Sequence, residues 1–247
     1  MKITLLGTGD APGTPTINCS CPACTDAKNP GSKSRRTRFS ILVSTDLGNV
    51  LIDTSPDMRE QLLRSNVSRV DAVVWTHGHY DHYGGFAEFY RVQSNVPVYG
   101  IQETVDYITN IYFFLTASKN YVKFYEPFSL IGLEFSLFEV KHFPEKHPAG
   151  IVISDGKHKI VISGDCEVDI PQESLDYIQN PDLFIADAIV PEFMDVKKHM
   201  NSDHAFETAK KIGAKNTVFT HLSHYYKPYD IDCKNYPLAY DGMSFEF

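Results

Sequence analysis

The sequence predicts an α/β fold, a four-layer αβ/βα sandwich. Short apolar runs typical of buried strands alternate with helical segments along the whole chain. Strands and helices show a weak two-half symmetry, and no low-complexity tract or linker interrupts them. The 247 residues, 43% of them hydrophobic, suit one large domain with a sizeable core. We therefore expect a single domain over residues 1–247.

The composition narrows the class of protein. Lysine and arginine number 23 against 31 aspartate and glutamate residues, a net charge of −8. This balance argues against a broad basic surface for nucleic acid. Met1-Lys2 runs straight into a strand, and no apolar run is long enough to span a membrane. We expect a cytoplasmic protein without a membrane partner, in which crowded cysteines bind metal instead of forming disulfides.

The first half of the chain reads as strands connected by turns and short helices. Predicted strands cover 3–6, 39–44, 49–52, 71–75 and 96–99, and predicted helices cover 56–64 and 86–93. Asp53 ends a strand beside the one that leads to residue 77, where it would either orient a ligand histidine or cap a turn. The aromatic-rich segment 103–125 suits core packing, the contact of a homodimer, or a lid over substrate.

The second half delivers polar residues at strand ends. Predicted strands cover 133–140, 150–154, 158–163, 182–186, 216–220 and 242–247, and a helix covers 202–212. His142, Asp165, Asp187 and His221 follow such strands, so we expect them at one edge. The carboxylate of Asp165 can bridge two metals. His147, five residues after His142, is a competing ligand or a substrate contact.

The stretch His77-x-His79-x-Asp81-His82 organises the chain. It follows the apolar run 71–75, where a central strand ends and a helix begins. His77 and His79 can point the same way and share one metal, while Asp81 and His82 face a second. Imidazole and carboxylate together suit zinc, manganese or iron.

A second motif is Cys19-x-Cys21-x-x-Cys24. Three thiolates at this spacing reach one tetrahedral ion and leave one ligand to come from elsewhere, and the alternative is a trio of reduced or redox-active thiols. The basic segment 28–38 that follows is either a solvated face or a lip that attracts anionic substrate.

His-x-His-x-Asp-His resembles the signature of the metallo-β-lactamase superfamily. Over nearly its whole length, the chain resembles the PhnP-type phosphoribosyl cyclic phosphate phosphodiesterases of that superfamily. The resemblance rests on the histidine motif, Cys19-x-Cys21-x-x-Cys24, His142, Asp165, Thr220-His221-x-Ser223-His224 and Tyr240-Asp241-Gly242-Met243. The loop 142–147 is longer than the loop usual in this family.

The resemblance implies the metallo-β-lactamase fold, two catalytic divalent metals and one structural zinc. It assigns His77, His79 and His142 to the first metal, Asp81, His82 and His221 to the second, Asp165 to both, and Cys19, Cys21, Cys24 and His224 to the zinc. Asp81 thus belongs to the catalytic set. The acid of this family matches His199, which would also contact substrate, and His204 ranks second. His147 is the other predicted substrate contact.

The implied function is hydrolysis of a small phosphodiester, cyclic diesters included, by a metal-bound hydroxide, with His199 protonating the leaving oxygen. A transfer-RNA 3′-end endonuclease is the alternative inside the superfamily; the charge of −8 and the absence of a basic, glycine-rich arm speak against it. Thioester or lactam hydrolysis is a weaker alternative, because the relatives with those activities lack the cysteine trio. A non-enzymatic metal-binding protein is the alternative from another class.

Overall fold

The computed structural model describes residues 1–247, which form two β-sheets packed face to face. The strands are β1 (Lys2–Gly7), β2 (Ser40–Thr45), β3 (Gly48–Ile52), β4 (Ala72–Val74), β5 (Val96–Gly100), β6 (Ala117–Tyr121), β7 (Phe128–Leu130), β8 (Leu133–Glu139), β9 (Ala149–Ser154), β10 (Lys159–Ile162), β11 (Leu183–Asp187), β12 (Thr217–Thr220) and β13 (Ser244–Glu246). The first sheet has the order β13-β1-β2-β3-β4-β5-β6, and the second has the order β12-β11-β10-β9-β8-β7.

Seven α-helices and one 3₁₀ helix accompany the two sheets. They are α1 (Pro22–Asp26), α2 (Met58–Arg64), α3 (Tyr80–Tyr83), α4 (Gln102–Ile111), α5 (Gln172–Tyr177), α6 (Ser202–Lys211) and α7 (Tyr229–Asp232), with a 3₁₀ helix at Gly84–Phe89. Helices α2 and α4 contact the first sheet, while α5 and α6 contact the second. No helix is long and apolar enough to cross a membrane.

Three buried apolar layers hold the four structural layers together. One layer lies between the sheets and contains Leu5, Ile52 and Ile151. A second joins the first sheet to α2 and α4 and includes the fully buried Trp75, and a third joins the second sheet to α5 and α6. Burial of apolar surface on both faces explains why the central strands are almost purely hydrophobic. The structure confirms the four-layer sandwich.

Strand direction places the chemistry at one edge. In the second sheet β8 and β10 both run antiparallel to β9, while β10, β11 and β12 are mutually parallel. The carboxyl ends of β8, β10, β11 and β12 therefore point the same way. In the first sheet β3 and β4 are parallel as well, which brings Asp53 beside the loop after β4.

The predicted helix over 86–93 is wrong. A 3₁₀ helix runs from Gly84 to Phe89 and the chain then turns. Gly85 donates its N–H to the carbonyl of Thr54, and a Cβ on it would come within 2.0 Å of the Ser55 carbonyl oxygen. Two adjacent glycines and this close backbone contact disfavour a regular α-helix. The sequence analysis also did not predict α1, α4, α5, α7, β6 and β7.

Candidate metal centre

Six histidine side chains form a closed ring at the carboxyl edge of the strands. In order around the ring they are His77, His79, His142, His199, His221 and His82, and neighbouring ring centroids lie 4.2–5.6 Å apart. The loop after β4 and helix α3 supply three of them, and the loops after β8, β11 and β12 supply the others. The ring encloses the carboxylate of Asp165, which follows β10.

The first group of potential ligands is His77, His79, His142 and Asp165. Their donor atoms lie within 4.8 Å of one another. Asp165 Oδ2 is 3.7 Å from His77 Nε2 and 3.6 Å from His142 Nε2, and His142 Nε2 is 3.0 Å from His79 Nδ1. All but His79 are buried.

The second group is Asp81, His82, Asp165 and His221. His82 Nε2 lies 3.4 Å from Asp81 Oδ2 and 3.3 Å from Asp165 Oδ1. His221 Nε2 lies 3.4 Å from one oxygen of each aspartate. Asp165 is thus common to both groups, with its two oxygens facing different histidines.

The donor atoms fit divalent metals. A tetrahedral ion with metal–N and metal–O bonds of about 2.1 Å separates its ligand atoms by roughly 3.4 Å, close to the spacings in both groups. The Nε2 atoms of His77 and His82 are buried without a hydrogen-bond partner, as is expected of imidazoles whose lone pairs bind metal. Although burial acts to lower it, the charges of Asp165 and Asp81 raise the pKa of His82 well above its usual value. Burial instead holds the pKa values of His77, His79 and His142 below the usual value, which favours the neutral imidazole that a metal binds.

Asp53 orients histidines of the two metal groups without belonging to either group. Its Oδ2 lies 2.6 Å from His82 Nδ1 and accepts a hydrogen bond from the Thr76 hydroxyl at 2.7 Å, while its Oδ1 accepts from the Thr76 N–H. The Thr76 hydroxyl also lies 3.0 Å from His77 Nδ1. Of the two roles expected for Asp53, the structure shows the orienting one. Carboxylate partners of this kind fix the ring and tautomer of a ligand histidine.

Backbone strain accompanies the site. Asp53 and His221 both adopt left-handed backbone conformations, with φ of 57° and 57°. Residues with side chains take up this conformation at a cost of order 1–3 kcal/mol, and such residues concentrate at functional sites.

His199 completes the ring but belongs to neither ligand group that contains Asp165. Its Nδ1 lies 2.8 Å from Asp187 Oδ2, and its ring stacks on His221 at 16°. Asp187 also accepts a hydrogen bond from the Cys166 N–H. Burial opposes protonation, but the charge and hydrogen bond of Asp187 raise the pKa of His199. From sequence, Asp187 was predicted only to lie at the common edge, and its place at the end of β11 was the signal for this other role.

Cys19, Cys21, Cys24 and His224 form a separate cluster. The three sulfurs lie 3.3, 3.5 and 3.6 Å from His224 Nδ1. Zinc bound tetrahedrally by sulfur at about 2.3 Å and nitrogen at about 2.0 Å separates these atoms by roughly 3.5 Å. The observed distances fit a tetrahedral zinc site, and His224 is the fourth ligand that the family resemblance implies.

The remaining predicted residues lie outside these clusters. His204 is the third residue of α6, where it takes part in a capping box with Asn201. His147 is half-buried, with its Nε2 4.0 Å from Glu103. In the basic segment 28–38, Arg36 is only 2% exposed and Arg38 pairs with Asp57, so part of this segment is not a solvated face.

Sequence reasoning missed Glu145. Its Oε1 lies 3.6 Å from His79 Nε2. The only signal was its position in the long loop 142–147.

Comparison with known families gives one match over most of the chain. The profile of the beta-lactamase superfamily domain matches residues 48–222, which include every residue of the two metal groups.

Solved structures agree with this match. A diphosphatase from the PhnP family is 31% identical with a TM-score of 0.87, and the alignment covers 100% of this chain and 97% of that one. Zinc-bound PqqB from Methylobacterium extorquens is 20% identical with a TM-score of 0.81 over 100% of both chains. The short form of human tRNase Z is 21% identical with a TM-score of 0.75, covering 100% and 99%. The last two show the fold alone.

Among curated proteins, an octanoyltransferase from Porphyromonas gingivalis is 27% identical over 238 residues, which are 91% of this chain and 46% of that protein. Coenzyme PQQ synthesis protein B from Rhizobium meliloti is 29% identical over 199 residues, covering 70% and 61%. The chain thus spans about half the length of the first relative and less than two thirds of the second.

Proposed function

The chain belongs to the beta-lactamase superfamily, and we propose that it is a metal-dependent phosphodiesterase with a dinuclear centre. Its substrate is a small phosphodiester, cyclic diesters included. The observation that carries this proposal is the pair of ligand groups that share Asp165, with the imidazole of His199 beside them. The similarity to a PhnP-family diphosphatase supports the phosphoryl chemistry.

His77, His79, His142 and Asp165 would hold one ion, and Asp81, His82, His221 and Asp165 the other. Two divalent metals at such a site supply Lewis acidity and lower the pKa of water. We assign zinc or manganese to this pair, with iron as a further option, since imidazole and carboxylate accept all three. The cysteine cluster would hold zinc.

The protein's own groups then position the substrate and move the proton. Asp53 and Thr76 keep His82 and His77 in the orientation that binds metal. Asp187 occupies Nδ1 of His199, so Nε2 is the atom that can deliver a proton to the leaving oxygen. A general acid placed in this way contributes typically about 10²–10⁴-fold.

A transfer-RNA endonuclease remains the competing function, since tRNase Z shares the fold. The net charge of −8 favours a small substrate, because protein–RNA contacts depend on neutralising many phosphates. A metal-binding protein without activity would have no use for the Asp187–His199 pair beside its ligands.

The test is hydrolysis measured on three kinds of substrate with the zinc- or manganese-loaded protein. We expect release of p-nitrophenolate from bis-p-nitrophenyl phosphate and no cleavage of precursor tRNA or of a β-lactam. Cleavage of precursor tRNA with no turnover of small diesters would establish the nuclease instead. Turnover of none of them would favour a metal-binding role.

A further inference from the structure

Gly78, between the ligand residues His77 and His79, lies against two side chains that the metal groups do not use. A Cβ on Gly78 would lie 3.1 Å from a ring carbon of Tyr107 and 3.4 Å from Glu145 Oε2. Both side chains therefore stand directly beside the first ligand group. They come from helix α4 and from the long loop 142–147, which are far apart in the sequence.

Tyr107 presents a fixed aromatic surface at this point. Helix α4 is anchored by buried Thr104, Val105 and Ile108, while Tyr107 itself is 51% exposed. The ring of Tyr83 packs edge-on against it, at 5.9 Å between centroids and 88° between planes. An aromatic ring that is held in place and still open to solvent is a platform on which a planar group can stack.

Glu145 gives this platform a negative neighbour. Its Oε1 lies 3.6 Å from His79 Nε2 and its Oε2 faces Gly78. A carboxylate accepts hydrogen bonds from hydroxyl groups and repels a further phosphate. The chemistry at this point therefore suits a neutral, hydroxyl-bearing aromatic group, as a nucleoside is.

The ring of histidines separates this platform from the candidate acid. His142 lies between the side with the platform and the side with His199, and its ring centroid is 4.7 Å from that of His79 and 4.7 Å from that of His199. A phosphodiester with its leaving oxygen at His199 would direct its other ester group toward His79 and Tyr107.

We propose that Tyr107 and Glu145 form a subsite for the nucleoside half of a nucleoside phosphodiester, on the side that keeps the phosphate. This inference rests on the proposed phosphodiesterase function. In the reaction, water supplies the oxygen that bonds to phosphorus, and the bond from phosphorus to the leaving oxygen breaks. The products are a nucleoside monophosphate and an alcohol, which takes up a proton at its oxygen.

Two substrates with one leaving group test the subsite. Thymidine 5′-(p-nitrophenyl phosphate) carries a nucleoside on the retained side, and methyl p-nitrophenyl phosphate carries none. We expect Tyr107→Ala to lower the ratio of their kcat/KM values roughly 5- to 150-fold, because a stacked base contributes about 1–3 kcal/mol. Tyr107→Phe keeps the aromatic ring and should keep the ratio. Phe113→Ala, at an 84% exposed aromatic position in the same segment, serves as the matched control.

Glu145→Gln tests the charge. The two substrates are thymidine 3′-phosphate 5′-(p-nitrophenyl phosphate) and thymidine 5′-(p-nitrophenyl phosphate), which lacks the 3′-phosphate. Because the variant removes the carboxylate charge, it should raise the ratio of kcat/KM for the first substrate to kcat/KM for the second. An unchanged ratio would exclude Glu145 from the subsite.

The outcomes distinguish failure of the nucleoside subsite from failure of the proposed phosphodiesterase function. Equal losses on both p-nitrophenyl substrates in Tyr107→Ala would mean that the ring supports the metal ligands, and the nucleoside subsite would be wrong. If neither substrate is hydrolysed, the phosphodiesterase proposal fails. In that case calorimetric binding of thymidine 5′-monophosphate, compared with ribose 5-phosphate, decides whether the platform exists: tighter binding of the nucleotide that Tyr107→Ala abolishes supports it, and equal binding refutes it.

Discussion

Asp165 is the residue on which both ligand groups depend. Its carboxylate is buried among His77, His82, His142 and His221, at 3.3–3.7 Å from their nitrogens. Burial acts to raise the pKa of this carboxyl group, but the surrounding histidines hold it well below its usual range, so the residue is poised as an anionic ligand.

We expect Asp165→Ala to lose at least one catalytic metal and most of its activity, because no other residue belongs to both groups. Elemental analysis and turnover of bis-p-nitrophenyl phosphate measure the two effects. Asp203→Ala, which removes an exposed carboxylate from the first turn of α6, is the control. Full metal content with near-normal turnover in Asp165→Ala would rule out the bridging role and make Asp187 the next candidate.

His199 separates proton transfer from metal binding. An alkoxide leaving group needs a proton in the transition state, whereas p-nitrophenolate is stable without one. His199→Ala should keep its metals, lose roughly 10²–10⁴-fold in kcat on a ribose-type phosphodiester, and lose distinctly less on the p-nitrophenyl diester.

His204→Ala is the matched control for this contrast, since His204 caps a helix and lies outside the ring of histidines. Equal losses on both substrates in His199→Ala would show that His199 positions phosphate or metal. If neither substrate were affected, the proton would have to come from another group, His147 among them.

At the scale of elements, the cysteine cluster connects two loops that are distant in the sequence. Cys19, Cys21 and Cys24 lie at the start of α1, and His224 lies in the loop after β12, three residues beyond His221. A zinc ion here would fix the loop that carries His221, a residue of the second metal group.

Cys21→Ser should therefore lose one zinc per chain and lower Tm by about 10 °C or more, since roughly 2–4 °C accompanies each kcal/mol in a domain of this size. Zinc content and thermal unfolding are the measurements. Cys233→Ser changes a thiol outside the cluster and should alter neither. An unchanged zinc content in Cys21→Ser would contradict the structural zinc site.

Comparison of the strands and helices shows which elements sequence patterns can predict. The hairpin of β2 and β3 and the alternating strand β8 were predicted within about one residue at each end, because buried strands leave strong apolar patterns. Strand β6 has the sequence Ala-Ser-Lys-Asn-Tyr and lies at the edge of its sheet, so it has no apolar face to recognise. The 3₁₀ helix after α3 depends on contacts between Gly85 and the backbone of Thr54 and Ser55, which no local pattern reveals.

For the molecule as a whole, the histidine motif and the strand-end residues were predictable because both directly follow strands that have a recognisable apolar pattern. The resemblance, and not spacing, supplied His224 and His199. Tyr107 and Glu145 could not be assigned from sequence, since their place beside Gly78 follows from the packing of α4 and the loop 142–147 around the site. The aromatic segment that contains Tyr107 combines core packing, through Tyr112, with an exposed surface.

The proposed dinuclear phosphodiesterase is tested most directly by metal titration of the protein stripped of its catalytic ions. Turnover of bis-p-nitrophenyl phosphate is measured as zinc or manganese is added, together with the metal content of each sample. The account predicts no turnover without added metal and saturation at about two ions per chain beyond the cysteine-bound zinc. Full turnover in the stripped protein, or none with zinc, manganese or iron, would contradict it.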